Sequence, residues 1–167
     1  MFRQALAGLV CATALTTPAI AQTYETEAGA VALDPVVEGL QFPWGMVFLP
    51  DDSMLVTERS GNLRHVAADG TISDPITGVP EVVFEGQGGL LDVALDPEFE
   101  SNRYVYVSYA EPGDEAETNS TAVARGVLSE DRSQLSDVEV IFSQQPKLPS
   151  TLHFGSRLTF DNDGYLF

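Results

Sequence analysis

The chain has 167 residues, of which 44% are hydrophobic and 20% charged. This balance excludes a largely disordered protein and leaves room for one domain with a hydrophobic core. The net charge of −17 at pH 7 means that few cations are present to neutralise phosphates, so a nucleic acid is excluded as a partner.

The first 21 residues have the pattern of an export signal. Arg3 gives the positive start, residues 5–15 the apolar run, and Ala19 and Ala21 a small-x-small cleavage site. The run is too short and too rich in alanine to span a bilayer. We therefore expect a cleavable signal peptide over residues 1–21, a periplasmic or secreted chain and no membrane span. The alternatives are lipidation at Cys11, the only cysteine, and a buried N-terminal helix.

The next residues predict a leader followed by short strands. Residues 22–33 are small, polar and acidic, so we expect little structure there. Short apolar runs bounded by turn residues then predict strands over residues 36–40, 46–49, 54–57 and 63–66, with a turn at 43–45 between the first two. Four such strands would form an antiparallel meander.

A second round of strands follows the same pattern. Apolar and β-branched runs predict strands over residues 90–95, 104–109, 121–128 and 138–142. The polar residues 111–120 show no periodicity, so we expect an exposed loop. A third round begins at residues 158–160, turns at 161–164 and starts another strand at Tyr165. No long stretch has helical spacing, so helices should be minor.

These rounds repeat at intervals typical of β-propeller blades. Phe48, Leu95 and Phe160 hold equivalent places, at offsets of 95 − 48 = 47 and 160 − 95 = 65 residues, and blades repeat every ~40 to 50 residues. The insertion at 111–120 explains the longer offset. A sandwich is the alternative, but the repeat favours a propeller. We predict an all-β chain with an incomplete propeller domain over residues 34–167, of only two to two and a half blades.

Three side chains are candidates for a functional site. Gln87 lies among Gly86, Gly88 and Gly89, where the backbone can turn sharply and approach a ligand, although an exposed hairpin turn has the same pattern. His153 could act as a base near neutral pH, or be a structural histidine. Arg157 could contact an anionic ligand or pair with an acid. His65, beside a turn, reads as a surface residue.

Several other chemistries lack their motifs. The residues Asp161, Asn162, Asp163 and Gly164 resemble the start of a calcium loop, but the acidic residue expected at its end would lie at position 172, beyond the chain. A propeller turn explains the pattern better, so we predict no metal ligands here. The sequence has no Walker loop, dinucleotide fingerprint, nucleophile elbow or paired zinc histidines. Nucleotide and nucleophilic-serine chemistry therefore have no support.

The motifs together resemble the soluble pyrroloquinoline quinone (PQQ)-dependent aldose sugar dehydrogenases of the glucose/sorbosone dehydrogenase family. The resemblance spans about residues 34–167 and rests on six stretches: FPWGM at 42–46, LVTER at 55–59, GNLR at 61–64, GQGGLLDVAL at 86–95, YVSY at 106–109 and HFGSRL at 153–158. Leu152 stands where the glucose dehydrogenase branch has an aspartate that helps to orient the histidine, which points to the aldose dehydrogenase branch or to a differently supported base.

The resemblance implies a fold, a reaction and a site. The fold is a six-bladed β-propeller, and the reaction oxidises the anomeric carbon of an aldose to a lactone, with hydride transfer to PQQ and an external electron acceptor. His153 would be the general base, Gln87 a pocket residue, and Arg157 a residue that shapes the pocket. PQQ and calcium are the implied cofactors, with most of their ligands beyond residue 167. We therefore expect an N-terminal fragment that is inactive by itself.

Two alternatives remain open at this point. The chain could be a non-catalytic propeller module that binds carbohydrate or protein, or a calcium-dependent propeller lactonase. The missing cluster of acidic metal ligands and the wording of residues 86–91 count against the lactonase.

Overall fold

A computed structural model describes residues 22–167 of the chain. The described residues belong to two compact units, one ending at Val36 and one spanning Val37–Phe167. The export signal expected over residues 1–21 lies outside the described part. Among residues 22–167, no helix has the length and apolar character needed to cross a membrane.

The first unit is a two-stranded antiparallel hairpin. Strand β1 (Gln22–Thr26) pairs with β2 (Gly29–Leu33), and every residue of both strands is exposed. The turn is closed by the Thr26 hydroxyl, which donates to the carbonyl oxygen of Gly29 at 2.7 Å, and Gly29 adopts a φ of +123°. The expectation of little structure over residues 22–33 is therefore wrong. It rested on the small, polar and acidic composition, which does not prevent two short strands from pairing across a glycine turn.

The second unit begins with a three-stranded antiparallel sheet, called the first sheet. Its strands β3 (Pro43–Phe48), β4 (Met54–Glu58) and β5 (Asn62–Val66) lie in chain order. The last two confirm the prediction, but residues 36–40 form no strand and 43–45 belong to β3 instead of a turn. Pro43 pairs with Glu58 across an irregularity in the register, which is how a proline is accommodated in a strand.

A four-stranded antiparallel sheet, called the second sheet, follows. Strands β6 (Leu90–Leu95), β7 (Tyr104–Pro112), β8 (Asn119–Leu128) and β9 (Leu135–Ser143) again lie in chain order, as predicted, with one helical turn α1 (Phe99–Asn102) after β6. The exposed loop expected over residues 111–120 is shorter than predicted. Pairing continues to Pro112 and Asn119, so only residues 113–118 connect the strands.

The hydrophobic core lies between the two sheets. All five residues of β4 and the first five of β6 are buried, and these two strands contact each other. Each buried Val or Leu side chain contributes about 1.5–3 kcal/mol relative to an exposed one. The predicted all-β class is confirmed. The core consists of Leu49, Leu55, Leu63, Ile76, Leu90, Val93, Phe99, Val105, Val107, Tyr109, Ala122, Ala124, Leu128 and Leu135.

The last residues form a small hairpin in place of two full strands. Phe160 and Leu166 make an isolated antiparallel bridge, and Thr159 and Phe167 exchange backbone hydrogen bonds of 3.0 and 2.8 Å. The turn predicted at 161–164 is present, since Gly164 donates to the carbonyl oxygen of Asp161 at 3.2 Å.

Candidate active site

Gln87 and His153, two of the three predicted site residues, line one cavity. It has a volume of about 380 Å³ and lies where β3, the end of β4, the start of β6 and the chain after β9 meet. We call residues 151–158, which carry His153, the His153 segment. The cavity is lined by Trp44, Arg59, Gly86, Gln87, Leu91, His153, Phe154 and Gly155.

Gln87 holds the backbone of the His153 segment. Its side-chain oxygen Oε1 accepts a hydrogen bond from the backbone N–H of His153 at 2.9 Å, and its own backbone N–H donates to the carbonyl oxygen of Thr151 at 2.8 Å. Within residues 22–167, neither the NH₂ group of Gln87 nor the imidazole of His153 has a side-chain hydrogen-bond partner. Both groups are therefore available to a ligand in the cavity.

The backbone of the segment turns His153 outward and its neighbour inward. His153 and Ser156 have φ angles of +64° and +90°, a region that residues other than glycine rarely adopt. Phe154 is buried and packs with Leu91, and its carbonyl oxygen accepts from the hydroxyl of Thr121 at 2.8 Å. The anchored phenylalanine thus leaves the exposed His153 ring at the edge of the cavity.

The glycines beside Gln87 allow segments of the chain itself to approach closely. A Cβ atom on Gly86 would lie 2.5 Å from the carbonyl oxygen of Thr151, and one on Gly89 would lie 2.1 Å from that of Arg59. Both glycines have positive φ angles. The sequence suggested that glycines here serve a ligand or a hairpin, but in the structure they bring backbone against backbone.

Arg59 was not singled out as a site residue from the sequence. Its guanidinium donates to the carbonyl oxygens of Gly86 and Gly88, with Nη2 2.9 Å from the oxygen of Gly88, and lies 5.3 Å from the ring centre of Phe84. It therefore holds both neighbours of Gln87 in place. The available signal was its position directly after β4, a strand without an exposed residue.

Arg157 is placed beside the cavity but does not line it. Its Nη1 lies 3.1 Å from Oδ1 of Asp92, and its guanidinium carbon lies 5.8 Å from the ring centre of Trp44. The Arg157 side chain is 74% exposed, whereas that of Asp92 is 1% exposed. Arg157 therefore pairs with an acid and reaches the cavity only through Trp44.

Two further polar residues lie in the buried end of β4. Glu58 accepts from Arg64 Nε at 3.0 Å, Asn62 Nδ2 at 2.8 Å and the backbone N–H of Gln41 at 2.6 Å. Burial raises the pKa of Glu58, but these hydrogen bonds outweigh it and leave the pKa below its ordinary value. The hydroxyl of Thr57 accepts from the backbone N–H of Gly45 at 2.9 Å, which fixes the strand that carries the cavity wall.

The described residues contain no cluster of side chains that would form a metal site. Among residues 22–167, no group of three or more His, Cys, Asp or Glu side chains is arranged to hold an ion.

Comparisons with known proteins support the resemblance. The family model for glucose/sorbosone dehydrogenase matches residues 40–167. The chain is 47% identical over 138 residues to aldose sugar dehydrogenase YliI of Escherichia coli strain K12, a match that covers 82% of this chain and 37% of the relative.

Solved structures agree with the sequence match. The apo form of the soluble aldose sugar dehydrogenase from Escherichia coli superposes with a TM-score of 0.72 at 48% identity, over 76% of this chain and 37% of that one. The PQQ-bound aldose sugar dehydrogenase from Streptomyces coelicolor gives a TM-score of 0.64 at 28% identity, over 89% and 41%. The chain thus spans well under half the length of these relatives. It belongs to the glucose/sorbosone dehydrogenase family.

Proposed function

We propose that the chain supplies the proton-accepting side of the site of an exported, PQQ-dependent aldose sugar dehydrogenase. The observation that carries this proposal is the pairing of His153 and Gln87, in which the amide oxygen holds the histidine backbone while the imidazole stays exposed at the cavity. The relatives named aldose sugar dehydrogenases support the class of reaction.

Oxidation of a sugar at its anomeric carbon needs an acceptor for a proton as well as one for a hydride. The His153 imidazole takes the proton from the anomeric hydroxyl, since a positioned histidine is an effective base near neutral pH. The free NH₂ group of Gln87 donates a hydrogen bond to a sugar oxygen and keeps the hydroxyl in reach. PQQ, when bound, supplies the hydride acceptor, and the sugar leaves as a lactone.

The residues of the cavity fit one part of this cofactor. PQQ is a flat tricarboxylate, and the cavity offers the indole of Trp44 as a flat wall and the guanidinium of Arg59 as a positive charge. Within the described part of the chain, Arg59 is the only cationic residue that lines the cavity. We propose that the remaining cations and the calcium ligands belong to the length of the relatives that this chain does not span.

The same proposal extends to the architecture and to the isolated chain. The two meandering sheets are the first two blades of a six-bladed propeller, with residues 34–167 as the incomplete domain and residues 1–21 as the signal peptide. Because most cofactor ligands are missing, the 167-residue chain alone is inactive with aldoses and an external electron acceptor.

A hybrid enzyme tests the proposal. In it, the matched part of this chain replaces the corresponding 138 residues of the Escherichia coli aldose sugar dehydrogenase. We expect the hybrid, loaded with PQQ and calcium, to reduce an electron-accepting dye when an aldose is added. The variant His153→Ala should lower kcat by roughly 10²- to 10⁴-fold, the range for loss of a general base.

Ligand binding provides the control. Trp44 lines the cavity, so quenching of tryptophan fluorescence in the hybrid reports PQQ binding once the absorbance of the cofactor is corrected. His153→Ala should retain this signal. Full activity of the His153→Ala hybrid would contradict the assigned base and favour a module that only binds carbohydrate. Turnover by the 167-residue chain would contradict its predicted inactivity.

A further inference from the structure

We propose that Asp92 is a positioning residue that fixes both the His153 segment and the Trp44 wall of the cavity. This inference rests on the proposed function, because it assigns the residue that aims the proposed base. No substrate contact is required of Asp92, which lies in β6 with its side chain 1% exposed.

Asp92 is bonded to the far end of the His153 segment through both carboxylate oxygens. Oδ2 accepts from the backbone N–H of Leu158 at 2.7 Å, and Oδ1 accepts from Arg157 Nη1 at 3.1 Å. The backbone N–H of Asp92 donates to the hydroxyl of Ser108 at 2.9 Å, and that hydroxyl pairs with the hydroxyl of Ser156. Three consecutive residues of the segment are therefore attached at this one point of β6.

The segment thus has an anchor at each end. Gln87 holds it at His153, and Asp92 holds it at Leu158. Between the anchors, Gly155 and Ser156 have φ angles of +64° and +90°. A left-handed backbone is unfavourable at a residue other than glycine, so it persists only where the surroundings impose it. Loss of the Asp92 anchor therefore frees the segment to relax and to move His153.

Asp92 also acts on the opposite side of the cavity. The guanidinium that it pairs with lies over the ring of Trp44, although the Arg157 side chain is largely exposed and would otherwise be free to move. Gly45, which follows Trp44, packs so closely on β6 that a Cβ atom there would lie 2.8 Å from Oδ1 of Asp92. The carboxylate of Asp92 thus links the Trp44 wall of the cavity to the segment that carries His153.

Stability alone does not explain an acid at this position. Burying a carboxylate costs several kcal/mol, and an ion pair with a solvent-exposed arginine returns little of it. Asp96, the acid that directly follows β6, bonds instead to Asn102 at 2.7 Å and to Tyr106 at 2.9 Å. Neither partner belongs to the His153 segment. Asp96 lies four residues after Asp92, so its replacement by asparagine is a matched control for the same change of side chain.

The first test uses the 167-residue chain and needs no bound cofactor. Asp92→Asn and Asp96→Asn are compared by hydrogen exchange of the backbone amides and by Trp44 fluorescence, with exchange scaled to the slowest core amides to remove changes in global stability. Asparagine has one acceptor oxygen in place of two and no charge, so it cannot keep both bonds and weakens the one that it keeps. We therefore expect Asp92→Asn to speed exchange at His153 and Leu158 at least tenfold and to shift the Trp44 emission. Asp96→Asn should change neither.

A third variant separates the two links. Arg157→Gln should reproduce the Trp44 shift of Asp92→Asn while Leu158 stays protected, because the bond from the Leu158 amide to Asp92 is retained. Two results would overturn the proposal. One is that the amides of His153 and Leu158 exchange as slowly in Asp92→Asn as in Asp96→Asn. The other is that the Trp44 emission is unchanged in both Asp92→Asn and Arg157→Gln.

The hybrid enzyme adds a kinetic test. A residue that aims the base should affect kcat more than KM, so Asp92→Asn should lower kcat at least tenfold with KM changed less than threefold. Failure of the two proposals can be distinguished. Full activity of His153→Ala refutes the proposed base and leaves the exchange and fluorescence results to decide on Asp92. An inactive His153→Ala with unchanged exchange in Asp92→Asn refutes the role of Asp92 alone.

Discussion

The two histidines of the chain are held in opposite ways. The ring of His65 is half-buried in β5 and its Nε2 bonds to Nη1 of Arg132 at 2.9 Å. His153 is exposed and its ring has no bonded side chain within residues 22–167, whereas its backbone is held by Gln87. A residue whose side chain is satisfied supports the fold, and a residue whose backbone is fixed while its side chain is free is available for chemistry.

The surroundings of His65 connect the two sheets. Arg132, in the turn between β8 and β9, reaches both His65 and the carboxylate of Asp51 in the turn between β3 and β4. Hydrogen bonds from Ser53 and Arg132 hold the pKa of Asp51 well below its usual range. The sequence indicated a surface residue at position 65, but the structure shows a half-buried histidine that joins the sheets.

Exchanging each histidine in turn is the strongest test of this difference. In the hybrid enzyme, His153→Gln should lower kcat by roughly 10²- to 10⁴-fold, because the ring is the proposed base. His65→Gln should leave kcat within about twofold, because its ring lies in the contact between the sheets. Steady-state kinetics with an aldose and a dye measure both. Similar losses in the two variants would contradict the assignment of the His153 ring as the base.

Two glycines near His153 test how tightly the backbone is held. Gly86→Ala should lower the free energy of unfolding by about 3 kcal/mol or more, because its Cβ atom would lie 2.5 Å from the carbonyl oxygen of Thr151. Gly155 also has a positive φ, but no other atom lies within 4 Å of its added Cβ. Gly155→Ala should therefore cost only about 1–2 kcal/mol. Urea unfolding of the 167-residue chain gives both values, and equal losses would show that the close approach is not needed.

Much of the fold could be predicted from local sequence patterns. The errors lie where pairing with a neighbouring strand determines whether a segment becomes a strand. Strands β4, β5 and β6 carry apolar runs between turn residues, and these were predicted to within a residue or two. Residues 36–40 have a similar apolar pattern, yet Val37 and Leu40 pack beside the small cluster around Val56 without strand pairing. A short apolar run shows that some of its side chains pack against the core, but it does not show whether a neighbouring strand has a free edge.

The site divides in the same way. Gln87 and His153 could be predicted because each stands in an unusual local setting, with glycines around one and a lone histidine in the other. Arg59 and Asp92 could not, because their partners are 29 and 65 residues away along the chain. Asp92 in particular reads as an ordinary polar position within an apolar strand. The residues proposed to contact a ligand are thus visible in the sequence, and those that hold them in place require the fold.

Removing the cation that joins the sheets should have a smaller effect. Arg132→Gln deletes the contacts to Asp51 and His65, but both partners are partly exposed, so the free energy of unfolding should fall by only about 1 kcal/mol. The matched control is Arg125→Gln, which removes an ion pair of 3.0 Å to Glu139 within the second sheet and should cost less. A larger loss in Arg125→Gln would show that Arg132 does not hold the two sheets together.

The smallest effect is a dependence of stability on pH that originates at His65. Burial and the charge of Arg132 lower the pKa of His65 from its ordinary value of 6.5. As the pH falls through about 6.5, the unfolded chain therefore binds a proton that the folded chain does not, and the free energy of unfolding decreases. Above pH 7 the ring is neutral in both states and contributes nothing.

Thermal unfolding of the 167-residue chain at pH 7.5 and 5.5 measures this dependence. Tm should be lower at pH 5.5 than at pH 7.5. This decrease should be smaller in His65→Gln, whose side chain cannot take up a proton. Arg132→Gln should also reduce the fall, because without the neighbouring charge the pKa of His65 moves back toward its ordinary value. Asp51 does not interfere, since its lowered pKa confines its effect to more acidic solutions. An equal fall in wild type and His65→Gln would mean that the contact with Arg132 does not depend on the protonation of this ring.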